Sequence, residues 1–293
     1  MTAKSVTGTI RAWAKRCVPA SARGWIRSNT PALLDGFRSL GRRSCSRPYL
    51  GFVLAYNRGN AIVHRLRREG VFEEDLGRAM VSDLERAPGL FLDVGANIGL
   101  MSLYVLSRRP SQKIIAFEPG PTQRRYLGET VSRNGLEDRV TIVDRAVGAA
   151  PGTHEFIVHR GADIGKDGLA DTGRGDVAER IVVEVGTLDG WWAEAGKPAV
   201  SVVKIDTEGA EKLVIDGASA VLTEARPVVF FELEEANLRA YPYTAADVVG
   251  VFTRAGYGVF TLGGDRVTAE NVADAARAAD TFRAAPMAPA SHL

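Results

Sequence analysis

Short apolar runs and helical stretches alternate through the middle of the chain. Runs at 90–94, 113–118, 140–143, 201–206 and 227–232 are almost continuously hydrophobic, and a late one follows at 257–262. Runs this short and this uniformly apolar predict strands buried on both faces, as in a parallel sheet covered by helices. Between the second and third, residues 122–134 carry a helical pattern that Gly135 is placed to stop. The repetition of strand and helix from about 90 to 262 predicts an α/β fold, a mostly parallel sheet with helices on both faces.

The flanks read differently. Residues 1–50 form a basic extension broken by Pro19, Pro31 and Pro48. Residues 51–88 are predicted helical, with Leu54, Ile62, Leu66 and Leu76 among polar neighbours. The α/β domain occupies 89–264, and 265–293 reads as an Ala-rich helix followed by a mobile Pro/Ala/Ser tail.

Charge sharpens this division. The chain of 293 residues has a formal net charge of +2, which argues against a dedicated nucleic-acid binder. In the first fifty residues, however, ten Lys and Arg side chains face the single acid Asp35. Ile10, Trp13, Cys17 and Val18 recur there at helical spacing between Arg11, Lys15 and Arg16. Two readings follow: weak contact with an anionic membrane surface, or, the favoured one, a poorly ordered extension or a helix docked over the cleft. Cys17 and Cys45 lack metal-ligand spacing, so a reducing compartment is expected. No run approaches the ~18 apolar residues of a membrane span, and basic residues interrupt any signal-peptide centre. A cytoplasmic location is the expectation, and the Arg-, Ala- and Gly-rich usage suits a bacterial host.

The candidate chemistry lies at the strand ends. Asp93, Glu118, Asp206 and Glu232 each stand at or near the carboxyl end of a predicted buried strand. That is the rim where ligands bind in open parallel sheets. Asp93-Val94-Gly95-Ala96-Asn97-Ile98-Gly99 then links the first strand to an apolar helix, with glycines where backbone must turn and approach a ligand. A dinucleotide fingerprint needs a glycine where Asn97 stands, and the phosphate-loop pattern is absent. Asp93 would repel a diphosphate but suits a cationic ligand with a sulfonium and an amino group, S-adenosylmethionine. Glu118 can accept both hydroxyls of a ribose.

Asp93 to Gly99 (DVGANIG), Phe117-Glu118-Pro119, Lys204 to Glu211 (KIDTEGAE) and Phe230-Phe231-Glu232, in this order, resemble the motif set of the FkbM-type methyltransferases. The resemblance covers about residues 90–262. It implies a Rossmann-like class I methyltransferase sheet of about seven strands, the last antiparallel. It implies further that Asp93, Gly95, Asn97 and Gly99 hold the methionine part of S-adenosylmethionine, that Glu118 holds its ribose, and that Asp144 to Ala146 lie against the adenine. Asp206 and Glu208 would face the transferred methyl group. The implied acceptor is a hydroxyl of a sugar, glycolipid or natural product. Thr207 departs from an expected valine, and the loop at 164–169 lacks an expected serine-rich character.

Methyl transfer to a hydroxyl needs alignment and a proton acceptor. Asp206, Glu208, Glu211 and Glu232 are candidates, with Asp206 or Glu208 favoured and Glu211 read as a helix-dipole partner. Carboxylates suit a divalent cation, but no octahedral set is legible and no metal is assigned. Lys204 reads as a structural ion pair. His64, His154 and His159 lie outside the motifs, with His159 read as a solvated loop residue bordering a binding loop at 159–176. Trp191 and Trp192 read as packing against the sheet. An NAD(P)-dependent Rossmann enzyme and a non-catalytic cofactor-binding relative are the rival readings.

Overall fold

Alternating side chains of each central strand enter two different cores, which is why the runs show no polar face. Phe91, Val202 and Phe230 pack into one core, while their neighbours Leu92, Val203 and Phe231 pack into the other, across the sheet. The computed structural model describes residues 44–57, 60–159 and 165–288. Most of the basic extension, with its membrane-surface reading and Cys17, lies outside the described residues.

The described chain opens with strands β1 (Cys45–Tyr49) and β2 (Phe52–Tyr56), then helices α1 (Ala61–Glu69) and α2 (Glu74–Arg86). Next come β3 (Leu90–Val94), α3 (Leu100–Arg108), β4 (Ile114–Phe117), α4 (Pro121–Arg133) and β5 (Val140–Val143). Strands β6 (Ala146–Val147), β7 (Gly152–His159) and β8 (Val177–Gly186) precede α5 (Leu188–Glu194) and β9 (Val200–Ile205). The chain continues through α6 (Glu211–Asp216), β10 (Val228–Glu232), α7 (Glu235–Leu238), α8 (Ala245–Arg254), β11 (Tyr257–Thr261), β12 (Arg266–Val267), α9 (Val272–Ala278) and β13 (Thr281–Pro286).

The main sheet has eight strands in the order β12-β11-β13-β10-β9-β3-β4-β5. Strands β10, β9, β3, β4 and β5 are parallel, and β13 runs antiparallel to both its neighbours. From β3 the chain proceeds outward to β5, then returns to build β9 and β10 on the other side. The order therefore reverses between β3 and β9, which opens a crevice beyond their carboxyl ends. A second sheet, β6-β8-β7, stands apart from the main one.

Two sequence expectations are corrected. Residues 52–56, expected to be helical, form β2, paired antiparallel with β1. Leu50 and Gly51 between them have φ of 50° and 89°, the left-handed pair that a tight two-residue hairpin turn requires. Asn134 fixes the hairpin to α4, its side chain bonding Val53 N–H at 2.8 Å and Val53 C=O at 2.9 Å. The sheet also runs on past residue 264. Instead of a mobile tail, 281–286 form β13, inserted between β10 and β11. Phe282 and Ala284 are fully buried on it. Of its six residues only Thr281 and Phe282 favour a strand, so burial between two strands decides the conformation. The end of the tail, 289–293, lies outside the described residues.

Candidate active site

The loop after β3 is set by backbone demands. Gly95 has φ of 75°, and a Cβ there would lie 1.8 Å from the Asp206 carbonyl oxygen. Its N–H donates to Phe117 C=O at 3.0 Å, while Asp206 N–H donates to Val94 C=O at 3.1 Å. The glycine loop and the segment after β9 thus touch, backbone to backbone, at the crevice. Gly99, with φ of 91°, begins α3, and a Cβ on it would meet Leu127 at 2.6 Å.

Glu118 follows β4 and is held from both sides. Gly120 N–H donates to its Oε1 at 2.7 Å and Asn97 N–H to its Oε2 at 2.8 Å. Burial pushes this carboxyl up to about 7 despite both bonds. Asn97 itself sits at φ of 50°, and its Oδ1 is buried without a partner.

Lys204 bridges the middle of the crevice. Its Nζ lies 3.1 Å from Asp206, 3.6 Å from Asp93 and 3.0 Å from Gly95 C=O. Burial disfavours the ammonium, but Asp206 and Asp93 outweigh it and hold the group above the ordinary lysine range. The ion-pair reading of Lys204 is what the geometry contains. Glu208 has φ of 55° and accepts from Arg174 at 3.2 Å and from Asn237 at 3.0 Å. Burial, then Asp206, push it up to about 8. Glu211 accepts from the N–H groups of Thr207 at 2.8 Å and Gly209 at 3.2 Å, so it closes the turn ahead of α6. Glu232 is raised well above the carboxylate range by burial and by Asp206, Glu208, Glu211 and Glu73.

These groups surround one cavity of about 720 Å³, within the ~300–1,000 Å³ of small-molecule sites. Of the residues expected to form the site, Gly95, Asn97, Glu118, Ala146, Asp206, Glu208 and Glu232 line it. Asp93, Gly99 and Asp144 do not. Asp93 is wholly buried behind the loop, where Ser102 Oγ donates to it at 2.6 Å and Lys204 neutralises it. Gly99 serves the entry to α3. After β5 it is Arg145 and Ala146 that face the cavity.

Other walls were not foreseen. Ala61, Ile62, His64, Arg65 and Arg68 of α1, then Phe72 and Glu73, close one side. Nothing in the pattern of Phe72-Glu73-Glu74 distinguishes Glu73 from a solvated helix charge. The segment from Gly165 to Arg174 crosses another side, as the length of the 159–176 loop suggested. A Cβ on Gly165 would lie 3.1 Å from Ile62, and Asp167 accepts from Gln123 at 2.6 Å. Arg174 reaches Glu234 at 2.6 Å as well as Glu208. His159, expected to be solvated, is buried, its N–H donating to Asp167 at 2.7 Å. Trp191 packs edge-on against Phe117 with ring centroids 5.6 Å apart, and Trp192 is buried, as the packing reading required. Among the described residues no three of His, Cys, Asp and Glu are grouped to hold a metal ion, and no helix is long and apolar enough to cross a membrane.

A sheet in this order, with its antiparallel strand inserted beside the last parallel one and a glycine loop after the strand at its centre, is a Rossmann-like class I methyltransferase fold. Residues 93–259 match the methyltransferase FkbM domain, and the chain belongs to that family. It is 29% identical over 161 residues to the 2-O-methyltransferase NoeI of Sinorhizobium fredii, a match covering 51% of this chain and 65% of NoeI. It is 27% identical to the methyltransferase sdnD of Sordaria araneosa, over 50% of this chain and 68% of that one. Among solved structures, the methyltransferase FkbM of Methylobacillus flagellatus aligns with a TM-score of 0.42 and 15% identity, over 67% of this chain and 43% of that chain.

Proposed function

We propose that this FkbM-family methyltransferase moves the methyl group of S-adenosylmethionine to a hydroxyl oxygen of a small-molecule or glycolipid acceptor, a sugar hydroxyl foremost. One observation carries the reading: Glu118 and the carboxylates of Asp206, Glu208 and Glu232 open onto the same cavity. The donor set suits the cofactor. Each Glu118 oxygen accepts one backbone N–H and keeps a lone pair for a ribose hydroxyl. Asn97 Oδ1, buried and unpartnered, and the backbone of Gly95 suit the methionine part. Ala146 lines the cavity and would lie against the adenine. The acidic rim favours a positive sulfur and amino group and disfavours a diphosphate or a nucleic-acid backbone.

When bound, the cofactor supplies a methyl group activated by positively charged sulfur. The chain supplies placement and charge. Val94, Phe117 and Leu169 wall the cavity with apolar surface and strengthen the electrostatics inside it. Asp206, fixed beside Lys204, and Glu208, fixed by Arg174 and Asn237, are positioned to accept hydrogen bonds from acceptor hydroxyls. The name of NoeI, a 2-O-methyltransferase, supports oxygen as the receiving atom.

Calorimetry of the full-length protein with S-adenosylhomocysteine and with NADH tests the cofactor. Methyl-labelled S-adenosylmethionine, given with an extract of source cells lacking the gene, tests the acceptor. The expectation is binding of S-adenosylhomocysteine alone, and label in small molecules or glycolipids as a base-stable ether. Binding of NADH alone, or label confined to nucleic acid, would sink the reading.

A further inference from the structure

The carboxylates around the cavity differ in how firmly each is engaged. Asp206 faces Lys204, Glu208 accepts from Arg174 and Asn237, and Glu211 is turned onto backbone N–H groups. Glu232 is ringed by like charges, which together with burial raise it well above the ordinary carboxylate range. Glu73 is in a different situation. It stands at the N-terminus of α2, outside the family-matched residues 93–259. Its φ of 45° is a left-handed conformation unfavourable to a non-glycine residue, and its side chain makes no capping bond that would offset this. The side chain instead borders both the main cavity and a recess shared with Lys204, Asp206 and Glu232. Arg65, its cation partner at 3.4 Å, is itself engaged by Glu69 at 3.0 Å and lies 4.9 Å over the Phe72 ring. Glu73 thus borders the cavity with one long hydrogen bond, accepted from Arg65 at 3.4 Å, holding its carboxyl.

Resting on the hydroxyl-methylation reading above, we propose that Glu73 takes the proton from the acceptor hydroxyl. As an oxygen lone pair forms the bond to the methyl carbon, the carbon–sulfur bond breaks with its electron pair left on sulfur, and the hydroxyl proton passes to a Glu73 oxygen. A sulfonium and a carboxylate become a thioether and a carboxylic acid, so charge balances. The groups facing Glu73 are Tyr49 from β1, Arg65 and Glu69 from α1, Glu74 beside it, Lys204 and Asp206 at the end of β9, and Glu232 from β10. Burial, then Asp206, push the Glu73 carboxyl up to about 7 against the pull of Lys204 and Arg65. A base in that range is both ionised and strong enough near neutrality.

The test uses the full chain, methyl-tritiated S-adenosylmethionine at saturating concentration and the extract of gene-deleted cells, from about pH 5.5 to about 9, so that the titration of Glu118 does not enter the rate. Wild-type labelling should rise with pH through about 7. Glu73→Gln should label about 100-fold more slowly or worse, without that rise. Its affinity for S-adenosylhomocysteine should stay within about twofold of wild type, since Glu118, Asn97, Gly95 and Ala146 are unchanged. Should Glu73→Gln not fold, Glu73→Asp carries the same test, because withdrawing the carboxylate by one methylene should slow labelling about tenfold at intact affinity. A Glu73 variant that keeps the wild-type rate and pH profile overturns the proposal. So does a loss of S-adenosylhomocysteine binding in step with rate, which would make Glu73 a cofactor holder. If wild type itself transfers no label, the hydroxyl-methylation reading fails, and Glu73 has no proton to take.

Discussion

Arg283 and Asp83 face each other through two hydrogen bonds of 2.8 Å, although 200 residues separate them in sequence. Arg283 lies on β13, the antiparallel strand that completes the sheet, and Asp83 on α2, the helix that presents Glu73 to the cavity. The last strand therefore anchors the helix whose N-terminus carries Glu73.

Removing Arg283 leaves Asp83, only 5% exposed, with Arg86 at 3.1 Å as its remaining cation. Arg283→Ala should lower stability by about 2–3 kcal/mol, the range for a charged hydrogen-bonded pair that is largely buried. Urea unfolding reads this directly. Asp83→Ala combined with it should cost less than the sum of the two single changes, because each removes the same interaction. Simple additivity would mean the pair is not coupled.

Gly95→Ala should be among the most damaging single changes. The added Cβ would sit 1.8 Å from the Asp206 carbonyl oxygen, and the φ of 75° is itself unfavourable to alanine. Both strands flanking the switch point would have to separate. We expect about 3 kcal/mol of lost stability or more, from overpacking and backbone strain together. Affinity for S-adenosylhomocysteine, measured on whatever folded protein remains, should fall by more than tenfold. A variant with wild-type melting and binding would show that the loop is not pinned at this contact.

The parallel half of the sheet was legible because its strands are buried on both faces, which leaves a run with no competing pattern. The cavity-lining carboxylates at strand ends were legible for the same reason: an acid stands out beside Phe117 or Phe231. What the sequence concealed depends on long-range contacts. Phe282 and Ala284 become strand only because β10 and β11 flank them, and Glu73 becomes part of the site only because α1 and α2 fold over the crevice. Asp93 illustrates the opposite error. Its position at a strand end predicted ligand contact, whereas the loop ahead of it folds so that Lys204 and Ser102 take up its carboxylate.

Glu118 should make cofactor binding sensitive to acid. Its two backbone anchors fix the oxygens, and burial places its titration near about 7. Below that pH the carboxyl carries a proton that competes with a ribose hydroxyl for the same lone pair. S-adenosylhomocysteine affinity should therefore weaken as pH falls from about 8 to about 6. Glu118→Gln should weaken it about 10- to 100-fold at pH 8, less at pH 6, and flatten the dependence, since an amide N–H would have to face a backbone N–H. A pH-independent affinity in wild type would remove Glu118 from the cofactor contacts.

The clustered carboxyls also fix the sign of the stability profile. Burial, as the first cause in each, pushes Glu73, Glu118 and Glu211 up to about 7 in the folded protein and Glu208 up to about 8. In an unfolded chain the same groups titrate near about 4.3. Between those limits the native state holds protons that the unfolded state has released, so stability falls as pH rises. The stabilisation is complete below the unfolded value, declines through about 5 to 8, and is gone once pH passes the folded values. Melting temperature of the protein without cofactor should accordingly be higher at pH 5.5 than at pH 8.5, and Glu211→Gln should make the slope shallower, because its acceptor role toward Thr207 survives through the amide oxygen while its titration does not. A melting temperature that climbs across this window would mean the carboxyls are ionised and paired in the folded state, and the cavity would then lack the proton-accepting range that its burial creates.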